Sequence, residues 1–115
     1  MNVRGIGFVG TATAHRTEMA NFVRDVLGLE ELHAHSLEAD LFRLADGTVF
    51  AVADAETQAE AYRTVGFHVD DLDEALAGLE GAGIDVAGGV QENDRDRYVH
   101  FRAPDGRLYE LVAAR

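Results

Sequence analysis

An α+β fold built from two βαβββ modules is what these 115 residues predict, and three observations carry the prediction. The first is a stretch that occurs twice. Phe42 to Val52 reads FRLADGTVFAV and Phe101 to Leu111 reads FRAPDGRLYEL, at a constant offset of 59 residues (101 − 42). Asp-Gly between alternating apolar runs marks a β-hairpin, because Gly accepts positive φ without a Cβ clash. The second is a helical apolar stripe that also occurs twice, once ahead of each hairpin. The third is the order of elements: strands follow one another in runs instead of alternating with helices, which excludes a Rossmann arrangement. A repeat of this length buries too little surface to fold easily alone, so the two copies are expected to share one domain.

Taken in order, Ile6 to Thr13 is short, apolar and rich in small residues, and reads as a first strand. Thr17-Glu18 opens a helix in which Met19, Phe22, Val23 and Val26 fall at i, i+3, i+4 and i+7. Gly28 stands where a glycine ends a helix. Leu29 to Ser36 alternates as a second strand, and Asp40 to Leu44 with Thr48 to Ala53 form the first hairpin. Asp54 to Tyr62 is polar and alanine-rich, a linker with at most a helical turn. The pattern then restarts: Thr64-Val65-Gly66 matches Phe8-Val9-Gly10 at an offset of 56 (64 − 8). Thr64 to Val69 is a strand. Asp70 is the expected N-cap of a second helix, with Asp73 in a capping-box position and Leu72, Ala75, Leu76 and Leu79 as its stripe. Gly81 and Gly83 stop that helix. Ile84 to Ala87 reads as a short strand and Gly88 to Arg97 as a mobile polar loop. Tyr98 to Arg102 and Arg107 to Ala113 form the second hairpin. The expected layout is one domain over 1–115, with module 1 at about 1–54, a linker at about 55–62 and module 2 at about 63–115.

Composition removes several chemistries. There is no cysteine, hence no disulfide, thiolate nucleophile or Cys-ligated zinc. All ten basic residues are arginine, which removes Schiff-base lysine chemistry. A net charge of −11 repels phosphate backbones, so nucleic acid is not an expected partner. No apolar run reaches membrane-spanning length and no signal-like h-region opens the chain, so a soluble cytoplasmic protein with no membrane partner is expected. Ser36, the single serine, lacks a G-x-S-x-G context, which leaves serine-hydrolase chemistry unsupported.

FVRDVLGLE after the first strand, VDDLDEALAGLEGAGI in the second module and FRAPDGRLYELV near the end together resemble the vicinal oxygen chelate superfamily, which includes glyoxalase I, extradiol dioxygenases and the fosfomycin- and bleomycin-resistance proteins. The resemblance covers essentially the whole chain. It implies paired βαβββ modules curled as an incomplete barrel around a cleft, and a homodimer. It also implies four strand positions at which metal-bearing members place ligands. Carried over, these are Phe8, Ala51, Thr64 and Glu110. Phe and Ala cannot ligate, and one carboxylate with a threonine does not hold a divalent ion against water. No metal and no other cofactor is therefore expected at the usual site.

Strand parity then gives the lining that the resemblance would place in the cleft. Leu108 and Val112 share a face with Glu110, and Gly66 and His68 share one with Thr64. The resemblance places His100 on the cleft side, and parity adds Tyr98 and Arg102. Phe8, Val49, Ala51 and Ala53 form an apolar wall. The expected ligand-binding set is Phe8, Ala51, Thr64, His68, Tyr98, His100, Arg102 and Glu110. This composition suits a metal-free protein that sequesters a small aromatic or cationic compound. The alternative is a lyase, isomerase or dioxygenase using His100, His68 and Glu110, with or without zinc, nickel, manganese or iron. Plainer roles stand beside these: an ion pair of Glu110 with Arg102 or Arg43, and hydrogen-bonded strand histidines. His33 and His35 fit an exposed strand edge, and His15 a turn.

Overall fold

The computed structural model describes residues 1–33, 39–56 and 59–115. The chain is α+β, with eight strands and three helices: β1 (Val3–Thr13), α1 (Arg16–Asp25), β2 (Glu30–Leu32), β3 (Ala39–Arg43), β4 (Val49–Asp54), α2 (Ala59–Tyr62), β5 (Val65–Val69), α3 (Leu72–Gly81), β6 (Val86–Glu92), β7 (Asp96–Arg102) and β8 (Leu108–Ala114). It forms two compact units, Phe8–Thr64 and Val65–Arg115 with Met1–Gly7. The division falls inside β1, whose first residues belong with the second module. Among the described residues no helix is long and apolar enough to cross a membrane.

In the unit Phe8–Thr64, β3 lies between β2 and β4 in antiparallel pairs, and β4 pairs with β1 in parallel. One face carries Phe42 and Val52, both fully buried, against Ala20 and Val23 of α1. The predicted α1 stripe matches this in part: Val23 is fully buried and Met19 packs on the cluster. Phe22 and Val26 are exposed, and the buried edge runs through Ala20 and Val23. The reason is Arg16, one turn before Ala20 on the same side of the helix. Its guanidinium donates to Asp40 at 3.0 Å and Asp54 at 3.2 Å, so a charged residue anchors the face that an apolar count assigns to Phe22. The opposite face holds Ala39, Ala51 and Ala53, at most 5 % exposed, with Phe8, Leu41 and Tyr62 packed on them. His33 is exposed just past β2, while the expected strand residues Ala34 to Ser36, His35 among them, lie outside the described residues.

In the other unit β8 lies between β5, its parallel partner, and β7, its antiparallel one, and β6 pairs with β7. Odd-numbered Val69, Val99, Phe101, Leu111 and Ala113 form a core with Leu72, Ala75 and Leu79 of α3. Each fully buried Val, Leu or Phe contributes about 1.5–3 kcal/mol. The cap of α3 sits one residue later than expected: Asp71, not Asp70, accepts from the Glu74 N–H at 3.0 Å. The predicted loop from Gly88 to Arg97 is mostly strand. β6 runs to Glu92 and β7 starts at Asp96, with a register shift between Ala87 and Gln91 where Gly88 has φ 74°. Ile84, expected to begin a strand, instead closes the helix end by donating to the Leu79 carbonyl. Ladder hydrogen bonds to β7 hold a segment whose exposed, glycine-rich side chains read as loop.

Both hairpin turns are the same object. Leu44 N–H donates to the Thr48 carbonyl at 2.9 Å, and Ala103 N–H donates to the Arg107 carbonyl at 3.0 Å. The Asp46 and Asp105 carboxylates accept from the N–H two residues on, and Gly47 and Gly106 have φ of 90° and 81°. The 59-residue repeat is thus preserved at the level of single hydrogen bonds.

Candidate functional site

On the second unit the face opposite α3 presents even-numbered residues of β5, β7 and β8, and Ala87 and Gln91 of β6. Register fixes two rows across it. Gly66, Glu110, His100 and Ala87 stand side by side on β5, β8, β7 and β6, and His68, Val112, Tyr98 and Gln91 form the next row. The lining expected from parity is therefore brought together for His68, Tyr98, His100 and Glu110 on one surface. Arg102 lies on the same face, exposed at the end of β7, where it donates to the Gly106 carbonyl at 3.2 Å. Phe8, Ala51 and Thr64 belong to the other unit. There Ala51 is fully buried beside Phe8, and Thr64 is buried with its carbonyl accepting from Gly10 N–H.

The chemical centre is Glu110 with His100. His100 Nε2 lies 3.4 Å from Glu110 Oε1, with side chains 13 % and 6 % exposed. The Tyr98 ring stands edge-on to the His100 imidazole at 5.9 Å. Burial pushes the Glu110 carboxyl up to about 8, and the charge of Asp96 pushes it the same way. Burial pushes His100 down. Contact of an acid and a base suggests an ion pair, but both shifts favour the neutral forms. We take burial as dominant, because desolvating two ions costs more than one 3.4 Å contact returns. Near neutrality the pair thus holds its proton as a carboxylic acid beside a neutral imidazole. Sequence reading missed Asp96, which two-residue periodicity from Tyr98 would have placed on this face.

Glycine shapes the surroundings. A Cβ on Gly7 would stand 2.7 Å from Val112 Cγ1 and 3.2 Å from His68 Cβ, so the first strand packs on this face without a side chain.

A family model, that of the Glyoxalase/Bleomycin resistance protein/Dioxygenase superfamily, matches residues 5–111. The chain belongs to that superfamily. Comparison with curated proteins returns no match. Among solved structures the chain is similar to methylmalonyl-CoA epimerase from Mycobacterium tuberculosis, with TM-score 0.77, 18 % identity and coverage of 96 % of this chain and 88 % of that one. It is also similar to a single-substitution variant of Streptomyces coelicolor methylmalonyl-CoA epimerase in complex with 2-nitronate-propionyl-CoA, with TM-score 0.72, 18 % identity and coverage of 97 % and 98 %. A hypothetical protein from Methanosarcina mazei matches with TM-score 0.74, 19 % identity and coverage of 100 % and 95 %. At these identities the likeness establishes the superfamily's fold.

The metal that the superfamily implies does not fit these residues. Phe8 and Ala51 carry no donor atom, and Ala51 is sealed in an apolar cluster. The relocated set of His68, His100 and Glu110 does not assemble either: among the described residues no group of three His, Asp or Glu side chains is arranged to hold an ion.

Proposed function

We propose that this chain is a metal-independent small-molecule-binding member of the superfamily, with His68, Tyr98, His100 and Glu110 as its ligand-contacting surface. The observation that carries the reading is Glu110 itself. It is a buried carboxyl next to His100. A polar pair set among apolar and aromatic groups is the composition of a binding site that orients its ligand through few contacts. The test is a thermal-shift screen of planar and cationic compounds with and without chelator, repeated on His100→Ala. Binders should raise Tm equally in both conditions and lose the effect in the variant. Stabilisation that requires added divalent ions would refute the proposal.

A second reading, a proton-transfer enzyme, draws on one specific observation: a carboxyl that titrates at about 8 can both give and take a proton near neutral pH. Methylmalonyl-CoA epimerases share the fold, which makes methylmalonyl-CoA a reasonable trial substrate. Deuterium uptake into it from D2O, insensitive to chelator and lost in Glu110→Gln, would support this reading. No uptake above the uncatalysed rate would remove methylmalonyl-CoA as its substrate.

A further inference from the structure

We propose that Arg43 anchors a separate small-molecule site on the unit Phe8–Thr64, one that takes a monocarboxylate carried on a flat apolar body. This site does not rest on the Glu110 pair.

Three observations lead to it. The first is an unmet donor. Arg43 is half-buried, its Nε is sealed from solvent, and that Nε has no hydrogen-bond partner. Among the described residues Arg43 lies against no carboxylate either, whereas Arg4, Arg16, Arg24, Arg97 and Arg115 each lie against an Asp or Glu. In a chain with 21 acidic residues and ten arginines, partners are abundant, so a half-buried arginine left without one needs a cause. The second is the internal repeat. Arg43 and Arg102 occupy the same place in the two hairpins (102 − 43 = 59). Arg102 is exposed and turns back to donate to the Gly106 carbonyl at 3.2 Å. The first turn closes with the same backbone bonds and puts Gly47 where Gly106 stands, yet among the described residues Arg43 makes no such return. The turn therefore does not dictate where this guanidinium goes. The third is the ground around it. Register sets Arg43, Val49 and Phe8 side by side on β3, β4 and β1, with Leu41 two residues along β3. Paired residues share a sheet face, so Arg43 stands at one end of an apolar row. Phe8, Leu41 and Val49 are each only partly buried, which leaves apolar surface for a ligand to cover.

The chemistry of the class follows from these neighbours. A guanidinium presents parallel N–H donors, and the two oxygens of a carboxylate match them. One positive charge balances one negative charge. Glu30, exposed on β2 as the cross-strand neighbour of Arg43, opposes a dianion such as phosphate. Val49 and Phe8 take the apolar body, and the carboxylate supplies acceptors to a guanidinium with a donor unmet. The net charge of −11 opposes anions in general, so binding here has to come from Arg43 itself.

The experiment titrates the full chain with benzoate, benzamide and phenyl phosphate, and follows the Val49 methyl, Phe8 ring and Arg43 Nε–H resonances by NMR. Benzoate should shift all three and bind about tenfold more tightly than benzamide, which has the same shape and no charge. Phenyl phosphate should bind more weakly than benzoate. Arg43→Met keeps an unbranched stem and removes the cation, so its affinity for benzoate should fall to the level of benzamide. Arg107→Met removes an exposed arginine from the turn of the other hairpin and should bind benzoate as the wild type does. No benzoate shift at these resonances, or equal affinity for benzoate and benzamide, overturns the inference, and that comparison in the wild type stands whether or not the Arg43 variant folds. Tighter binding of phenyl phosphate overturns the carboxylate class. Loss of benzoate binding in Arg107→Met would expose a nonspecific charge effect and overturns the site as well. The Glu110 surface is judged separately, by the thermal-shift screen on His100→Ala.

Discussion

Replacing Glu110 by glutamine should stabilise the protein in a pH-dependent way. The folded-state carboxyl titrates at about 8, against 4.5 for the unperturbed group. Between those values the folded chain holds a proton that the unfolded chain has released. Raising the pH through this window therefore draws the equilibrium towards the unfolded state, and the loss levels off above the folded pKa. At 1.36 kcal/mol per unit, and allowing for partial titration at each end, wild-type stability should fall by about 3–4 kcal/mol between pH 5 and pH 8 from this group alone. The amide introduced by Glu110→Gln has no proton to lose to the solvent at these pH values and keeps a donor and an acceptor for His100. Burial also lowers the pKa of His100, which makes stability fall as pH drops below the usual imidazole range, but both proteins carry that residue and its contribution largely cancels in the difference. The assay is urea unfolding of both proteins at pH 5 and pH 8, reading midpoints at constant slope. The advantage of the variant should grow by about 3 kcal/mol at the higher pH. An advantage that is equal at the two pH values would mean that Glu110 is ionised when folded and paired with a protonated His100, and the neutral pair would not exist.

Two further substitutions test the frame around the site. Asp71→Ala removes the acceptor for the Glu74 N–H at the start of α3 and should cost about 1 kcal/mol in urea unfolding, with the His100 resonances unchanged. Gly10→Ala should be far more damaging: its Cβ would fall 2.1 Å from the Tyr62 carbonyl oxygen, so backbone must move, and loss of soluble folded protein is the expected outcome of expression and circular dichroism.

The hairpins, their turns and the α3 stripe were legible because each rests on a local rule. Asp-Gly needs a left-handed glycine, and Leu72, Ala75 and Leu79 share a helix face whatever surrounds them. The rotation of α1 that exposes Phe22 and Val26, and the extent of β6, were not legible, because tertiary partners decide them. Arg16 sits half-buried only because Asp40 and Asp54, from distant strands, converge on it. Gly88 and Gly89 are carried through the strand as a bulge, because Ala87 before them and Gln91 after them both pair with β7. For the site, parity within each strand, together with the superfamily resemblance that oriented His100, put His68, Tyr98, His100 and Glu110 on one face. The closeness of His100 to Glu110 needs the register of β7 on β8, which the length of the hairpin turn sets. The protonation of Glu110 depends on burial, which no pattern of letters reports.

That register also shows where the two modules part company. Leu41 opposes Ala51 and Ala39 opposes Ala53 in the first hairpin, as His100 opposes Glu110 and Tyr98 opposes Val112 in the second. The offset is 59 in every case (100 − 41, 110 − 51, 98 − 39, 112 − 53). The same backbone positions thus hold three alanines and Leu41 in one copy, and an acid, two rings and a valine in the other. The first version is the easier one to bury, since alanine and leucine leave no unmet hydrogen bonds. The second carries a penalty of several kcal/mol near pH 8, a sizeable part of the roughly 5–15 kcal/mol that a domain has in total. Two copies of one geometry therefore give an internal control: the fold does not require a polar pair at this place. A local choice that works against stability, where the fold itself accepts an apolar one, is the kind of exception that marks a functional site.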